Sequence, residues 1–195
     1  MTDKIKICNQ ALLLLGENTI QDLDEDTTEA KLCNAFYDDA RDSCLRDMKP
    51  NFARRRSGDL VNGETPTYGW DFAGKLPEDF LCLVEINRDF ITGIDGAASD
   101  SDEWRVEGGF FLSNRTATKV LYISSDAPEA KMDSSFVKAL AAYLASEIAY
   151  GLTNATTKVA AMMALYGIRR DDALAIDGQE SSTVRTTNDQ LSIVR

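Results

Sequence analysis

Histidine is missing from all 195 residues of the chain. Its absence removes Ser-His and Cys-His nucleophile activation, most zinc sites and the usual general base near neutral pH. Any catalysis would fall to carboxylates, lysine or tyrosine. The four cysteines (Cys8, Cys33, Cys44 and Cys82) form no C-x-x-C pair, and they read as small buried hydrophobes rather than metal ligands or disulfides. Long apolar runs are lacking too. Runs such as Ala11 to Leu15 are far short of the ~20 residues a membrane-spanning helix needs. Met1-Thr2-Asp3-Lys4 leads into an interrupted amphipathic pattern, not the apolar segment of a signal peptide, so a protein made and kept in a cytosol is expected.

Basic charge is scarce. Against 32 Asp and Glu stand 21 Lys and Arg, a net charge of −11. Residues 57–132 carry six basic and fourteen acidic side chains, which is −8 of that total. Such a surface repels nucleic acid. There is no Walker A loop, no G-x-G-x-x-G, no G-x-S-x-G and no H-E-x-x-H. The neighbouring acids Glu78 and Asp79, or Asp102 and Glu103, are the pairs a carboxylate-dependent hydrolase would use, yet among 32 acids they read as solvated charges. No cofactor or metal is implied: Asp22, Asp24 and Asp26 alternate like the start of a calcium loop, but Thr27 stands where glycine belongs and Cys33 where glutamate belongs.

What is present is centred on residues 30–56. Cys33, Tyr37, Ala40, Cys44 and Met48 recur at steps of four, three, four and four, an apolar stripe on one helical face. Asp38, Asp39, Arg41, Asp42 and Arg46 take the other face, with Asp42 and Arg46 at the i,i+4 spacing that lets opposite charges meet. Pro50 disfavours helix at Lys49, so the pattern stops there. Beyond it come Phe52 and the basic run Arg54, Arg55 and Arg56, which reads as solvated helix-end charge, a nucleic-acid contact or one side of a protein interface.

The chain opens with a helix capped by Thr2 or Asp3, with Ile5, Cys8, Leu12 and Leu15 on one face, widened by Ala11, Leu13 and Leu14, and with Gly16 as its stop. A connector over 17–26 tucks Ile20 and Leu23 inward. From 57 the helical pattern lapses for some seventy residues. Glycines and prolines punctuate extended chain anchored by Tyr68, Trp70 and Phe72, and strands are expected at 80–86, 105–112 and 119–124. Residues 94–103 read as an exposed loop. Helices return with Asp133 as cap: one carries Phe136, Leu140, Tyr143, Leu144 and Ile148 with alanines between and ends at Gly151. The next starts at Thr153 or Asn154, with Val159, Met162, Met163, Tyr166 and Ile176 buried and Arg169, Arg170, Asp171 and Asp172 wet. Residues 178–195 lack a core pattern and close on Leu191, Ile193, Val194 and Arg195, either a frayed tail or an arm that orders on a partner. The expected class is therefore α+β, mainly α. A helical bundle (1–56 and 133–177) carries an inserted loop and small antiparallel sheet (57–132), followed by an extended C-terminal arm.

A set of residues in this order resembles a known family. Asn9-x-Ala11 with Leu15-Gly16-Glu17, Ala30 through Tyr37, Ala40-Arg41-Asp42 and Leu45, Asn51-Phe52-Ala53-Arg54-Arg55, then Trp70 and Leu76-Pro77-x-Asp79-Phe80 are similar to the tail tubular protein A family of short-tailed bacteriophages. The resemblance spans nearly the whole chain. The family usually has a tryptophan before Asn-Phe-Ala, where this chain runs Lys49-Pro50-Asn51, and a tyrosine where Gly74 stands, departures that bear on local packing. The resemblance implies a non-enzymatic head-to-tail adaptor. Twelve copies would form a ring that joins the portal protein to the tail nozzle protein and continues the channel for genomic DNA, which passes without specific binding. It places the protein in the virion at the head–tail junction, made in the host cytoplasm and without a membrane partner. Under it, Arg54, Arg55, Arg56, Leu191, Ile193, Val194 and Arg195 become candidate protein-interface residues, and the acidic sheet region is expected to face the nozzle. A carboxylate-dependent peptidoglycan hydrolase of the tail and a DNA-packaging accessory are the alternatives.

Overall fold

A computed structural model describes residues 2–58, 60, 66, 68–86, 104–114 and 119–180. Among the described residues four helices form a bundle: α1 (Lys4–Leu15), α2 (Thr28–Met48), α3 (Ser134–Thr153) and α4 (Thr156–Gln179). Between α2 and α3 lie six strands among the described residues: β1 (Arg54–Arg56), β2 (Phe72–Lys75), β3 (Phe80–Ile86), β4 (Trp104–Glu107), β5 (Phe110–Ser113) and β6 (Val120–Ser124). The class is α+β, mainly α. No helix among the described residues is long and apolar enough to cross a membrane.

Helix ends follow their caps. Asp3 accepts the Lys6 N–H at 2.7 Å, and Gly16 closes α1 in the left-handed region at φ 77°. Leu13 departs from expectation: it is 63% exposed, while Ile7, Cys8, Ala11, Leu12 and Leu15 are buried. The Asn9 amide accepts the Ile20 N–H and donates to the Ile20 carbonyl, both at 2.8 Å, which pins the connector and buries Ile20. Along α2 the expected stripe of Cys33, Tyr37, Ala40, Cys44 and Met48 is buried. Asp42 does not pair with Arg46; Arg41 takes it instead, through Nε and Nη2 at 3.1 and 3.0 Å.

Helix α3 is buried on most of its circumference, with eleven of its residues inside. It does not end at Gly151. That glycine faces Leu32, and a Cβ there would stand 3.0 Å from Leu32 Cδ1, so it serves close packing. The turn is made by Asn154 at φ 51°, a residue type that tolerates the left-handed region. Helix α4 then starts at Thr156, later than expected. It lies on α3 along one line through Val159, Met162, Tyr166 and Ala173, with the Tyr143 and Tyr166 rings 5.0 Å apart. Met163 and Ile176, expected inside, are each 45% exposed, because a single packing line on a straight helix cannot also reach residues 80–100° away around the axis. Arg169 and Arg170, expected wet, are half-buried. Arg169 Nη1 donates to the Lys138 carbonyl at 3.0 Å, and Arg170 pairs with Asp47 at 3.7 Å. The helix continues to Gln179, into the segment expected as an arm.

Among the described residues the strands form two three-stranded antiparallel sheets, β1-β6-β3 and β2-β5-β4, where one was expected within 57–132, and β1 comes from the end of the stretch expected as bundle. β3 occupies 80–86 as foreseen. The stretch 105–112 is not one strand but a hairpin, turned at Gly108 and Gly109 with φ 58° and 83°. β2 was not foreseen, and Tyr68, expected as an anchor, is 89% exposed. Residues 94–103 lie outside the described residues. Alternation along β6 makes the first sheet a middle layer: Ile123 joins the bundle core, while Val120 and Tyr122 join Leu60, Phe72, Leu76 and Phe111 beneath the second sheet.

Gly74 belongs to this outer core. A Cβ on it would lie 2.7 Å from Leu60 Cβ and 2.8 Å from Phe72 Cε1. Leu60 and Phe72 close the space beside it. Gly74→Ala is therefore expected to lower unfolding free energy by about 1–3 kcal/mol through overpacking, read as a shifted urea midpoint; an unchanged midpoint would show that Leu60 yields freely.

Candidate functional site

The basic run after α2 is where the sequence points first. Lys49 leaves the helix in the left-handed region (φ 47°, ψ 52°) while its N–H still donates to the Leu45 carbonyl at 3.0 Å. Pro50 and a single 3-10 turn over Asn51–Ala53 redirect the chain, and Arg54–Arg56 pair with β6 in the register Arg54↔Ile123, Arg55↔Tyr122 and Arg56↔Leu121. The run is an edge strand rather than helix-end charge.

Each arginine has a different fate. Arg54 donates from Nε and Nη2 to the Lys49 carbonyl at 3.1 and 3.0 Å, satisfying the last turn of α2, and lies 4.0 Å from Asp177 of α4. Arg55 donates from Nη1 to Asp79 Oδ2 at 2.8 Å and from Nη2 to the carbonyl and carboxylate of Asp126 at 2.6 and 3.0 Å. Arg56 is exposed and makes no ion pair among the described residues. Leu191, Ile193, Val194 and Arg195 lie outside the described residues. The structure thus brings Arg54 and Arg55 into joints of the fold and leaves Arg56 facing outward.

Of the acids that receive these groups, Asp177 carries no mark in the sequence, and Asp79 stands out there only as one of a pair of neighbouring acids and within Leu76-Pro77-x-Asp79-Phe80. Asp177 accepts the Asn51 N–H at 2.8 Å, and the Asn51 amide donates to the Asp177 carbonyl at 2.9 Å, so the end of α4 is tied to the chain leaving α2. Phe52 beside it packs edge-on against Phe136 at 5.0 Å. Asp79 accepts from Tyr122 Oη at 2.9 Å and Ser124 Oγ at 2.6 Å as well as from Arg55. Desolvation opposes its ionisation, but the Ser124 and Tyr122 hydroxyls, the backbone and Arg55 outweigh it, and its pKa falls below the ordinary carboxylate range. Tyr122 moves the other way, to about 12, through desolvation and its hydrogen bond to this carboxylate. A general acid needs a raised pKa, so Asp79 is unsuited to that part in a hydrolase. Asp102 and Glu103 lie outside the described residues.

A cavity of about 20 Å³ lies between Pro50, Phe52, Phe136, Ala173 and Leu174, room for about one water. A broader open groove is lined by Ser135, Lys138, Arg169 and Asp172, where Arg169 is already engaged by a backbone carbonyl. Among the described residues no group of three or more Cys, Asp or Glu side chains could hold a metal.

Arg55 bridges two acids, so reversing its charge is expected to disturb folding as well as any interface. Asp79→Ala would leave the Tyr122 and Ser124 hydroxyls and Arg55 Nη1 without this acceptor, while Arg55 Nη2 keeps Asp126. A loss of about 1–2 kcal/mol is expected, at the low end because the side chain is 22% exposed. Since the folded pKa of Asp79 is depressed, its contribution is complete above the ordinary carboxylate value and disappears as pH falls below about 4. Urea titrations from pH 7 to pH 2.5 should show a shallower acid decline in Asp79→Asn than in the native chain; parallel declines would contradict this.

Among known proteins, no family model matches the chain and no curated protein matches it.

Proposed function

We propose that the chain is a structural subunit of a bacteriophage head-to-tail adaptor. In this reading it is not an enzyme; twelve copies form a ring that joins portal to nozzle in the virion and lets genomic DNA pass along an acidic lumen. The observation that carries the proposal is where the family-like residues fall in the fold. Asn9 pins the connector to α1. The Tyr37 hydroxyl donates to Glu129 at 3.3 Å, and Asn51 ties α2 to α4. Phe52 seats on Phe136, and Arg55 meets Asp79. These residues are the joints between layers, so the resemblance lies in the framework that shapes the subunit rather than in scattered surface positions. Electrostatics support the same reading, since a −11 chain surrounds DNA without gripping it.

Electron microscopy of the purified chain, alone and mixed with the portal of the same phage, is the direct test. Twelve-fold rings, free or seated on the portal, are expected; their absence in both preparations overturns the proposal. Clearing of cell walls that is lost on Asp or Glu substitution would favour the hydrolase, and DNA retention that weakens steeply with salt would favour the packaging accessory. Two variants refine the surface. Arg56→Glu should weaken assembly by about two- to fivefold, the scale of an exposed ion pair, with an unchanged melting curve. Removing 181–195 leaves α4 whole and should abolish portal binding, so undiminished binding would take the C-terminal arm out of the interface.

A further inference from the structure

Two contacts fix the register of α1 on α2. Lys4 Nζ lies 3.2 Å from Asp38 Oδ2 and 4.8 Å from the centre of the Tyr37 ring. One turn further along α1 and one turn back along α2, the side chains of Cys8 and Cys33 hydrogen-bond to each other. The helices are therefore antiparallel, and two sulfur atoms face each other where they meet. Both residues are free thiols and both are 0% exposed.

Among the described residues neither of the other two cysteines has a thiol beside it. Cys44 meets the Tyr166 hydroxyl, and Cys82, only half-buried, lies near Lys49 and Arg46. Spacing suits a bond between the first pair. A disulfide spans Cα atoms ~4.4–6.8 Å apart, and residues facing one another across two packed helices reach that spacing, because axes about 8–10 Å apart carry Cα atoms about 2.3 Å closer on each side. The two sulfurs also differ in character. The hydrogen bond from Cys8 holds the Cys33 pKa down in spite of burial, while the same bond and burial push Cys8 up, so Cys33 is the one that ionises first and attacks.

We propose that Cys8 and Cys33 form a latent disulfide, which closes when the chain meets a peroxide and locks α1 to α2. The Cys33 thiolate attacks one oxygen of hydrogen peroxide and the O–O bond breaks, leaving Cys33 as a sulfenic acid; the departing hydroxide takes up the proton that Cys33 had shed and becomes water. The Cys8 sulfur then attacks the Cys33 sulfur. The S–O bond breaks, and the second hydroxide leaves with the Cys8 proton as water. Each bond formed thus takes two electrons from sulfur and reduces one peroxide. Access needs only local opening of α1, since hydrogen peroxide is little larger than water. The charged tie across this contact is the Lys4–Asp38 pair, with the Asp38 side chain 62% exposed, and such a pair resists opening little. In a reducing cytosol the pair stays as thiols, and in an oxidising medium it closes. The inference goes beyond the adaptor reading and does not depend on it.

The native full-length chain provides the test. After treatment with hydrogen peroxide, an alkylating agent in urea should label two of the four cysteines, where the reduced chain labels all four, and peptide mass spectrometry should find Cys8 joined to Cys33. The urea midpoint of unfolding should rise by about 1 M or more, the scale for closing a loop of this size, and return with dithiothreitol. Cys8→Ala and Cys33→Ala, which control for methionine oxidation, should show no such rise. Four labelled cysteines after peroxide overturn the proposal, as do a bond between any other pair and a bond between two chains. Labelling that dithiothreitol does not restore marks sulfinic acid instead of a disulfide and refutes it too, and a Cys8–Cys33 bond that leaves the midpoint unmoved refutes the lock.

Discussion

Helix α3 can be buried only because it is alanine-rich. Ala139, Ala141, Ala142, Ala145 and Ala149 are all inside, and small side chains let neighbouring helices approach closely on several sides. Larger residues between them, Phe136, Leu140, Leu144 and Ile148, fill the space at the contacts. Three helices around one axis then each keep a face that points away from it. α1 and α2 cover part of theirs with the connector and the sheet, but α4 spends a single line on α3 and leaves its other side bare. The apolar outer surface of α4 is thus a consequence of how α3 is enclosed.

The second constraint is the break at Lys49 and Pro50. Within eight residues the chain passes from the end of α2, through one 3-10 turn, into β1. Backbone groups exposed by so short a transition need partners, and here they come both from the next few residues and from far along the sequence. Asp177 serves Asn51, and Arg54 serves the carbonyl of Lys49. Asp79 and Asp126 hold Arg55. In a chain with so little positive charge, two of the three clustered arginines are committed to holding bundle and sheet together, and Arg56 faces solvent.

Much of the bundle was legible in the residues themselves. The stripe along α2, the caps Asp3 and Asp133, and the stop at Gly16 are local matters decided within one or two turns. Strand β3 was legible for the same reason. The misreadings share a cause: residues whose meaning lies in a distant partner. Gly151 looks like a stop until Leu32 is seen against it. Met163 looks like core because it is apolar and at helical spacing, though its face has no neighbour. The stretch 105–112 looks like one strand until Gly108 and Gly109 turn it back on itself, and β2 carries too little pattern over four residues to stand out among turns.

What the sequence by itself determined is the kind of protein this is: helical on either side of a β middle, strongly acidic and without histidine. Those properties follow from composition and short-range periodicity, which act over neighbouring residues. Only the tertiary structure decided what the basic run is for, because the same three arginines could equally have met solvent, nucleic acid or another subunit. The pairing of β1 with β6 put Arg55 within 3 Å of acids 24 and 71 residues away. Packing likewise decided which face of α4 stays open, since a helix can bury only the side its neighbour reaches.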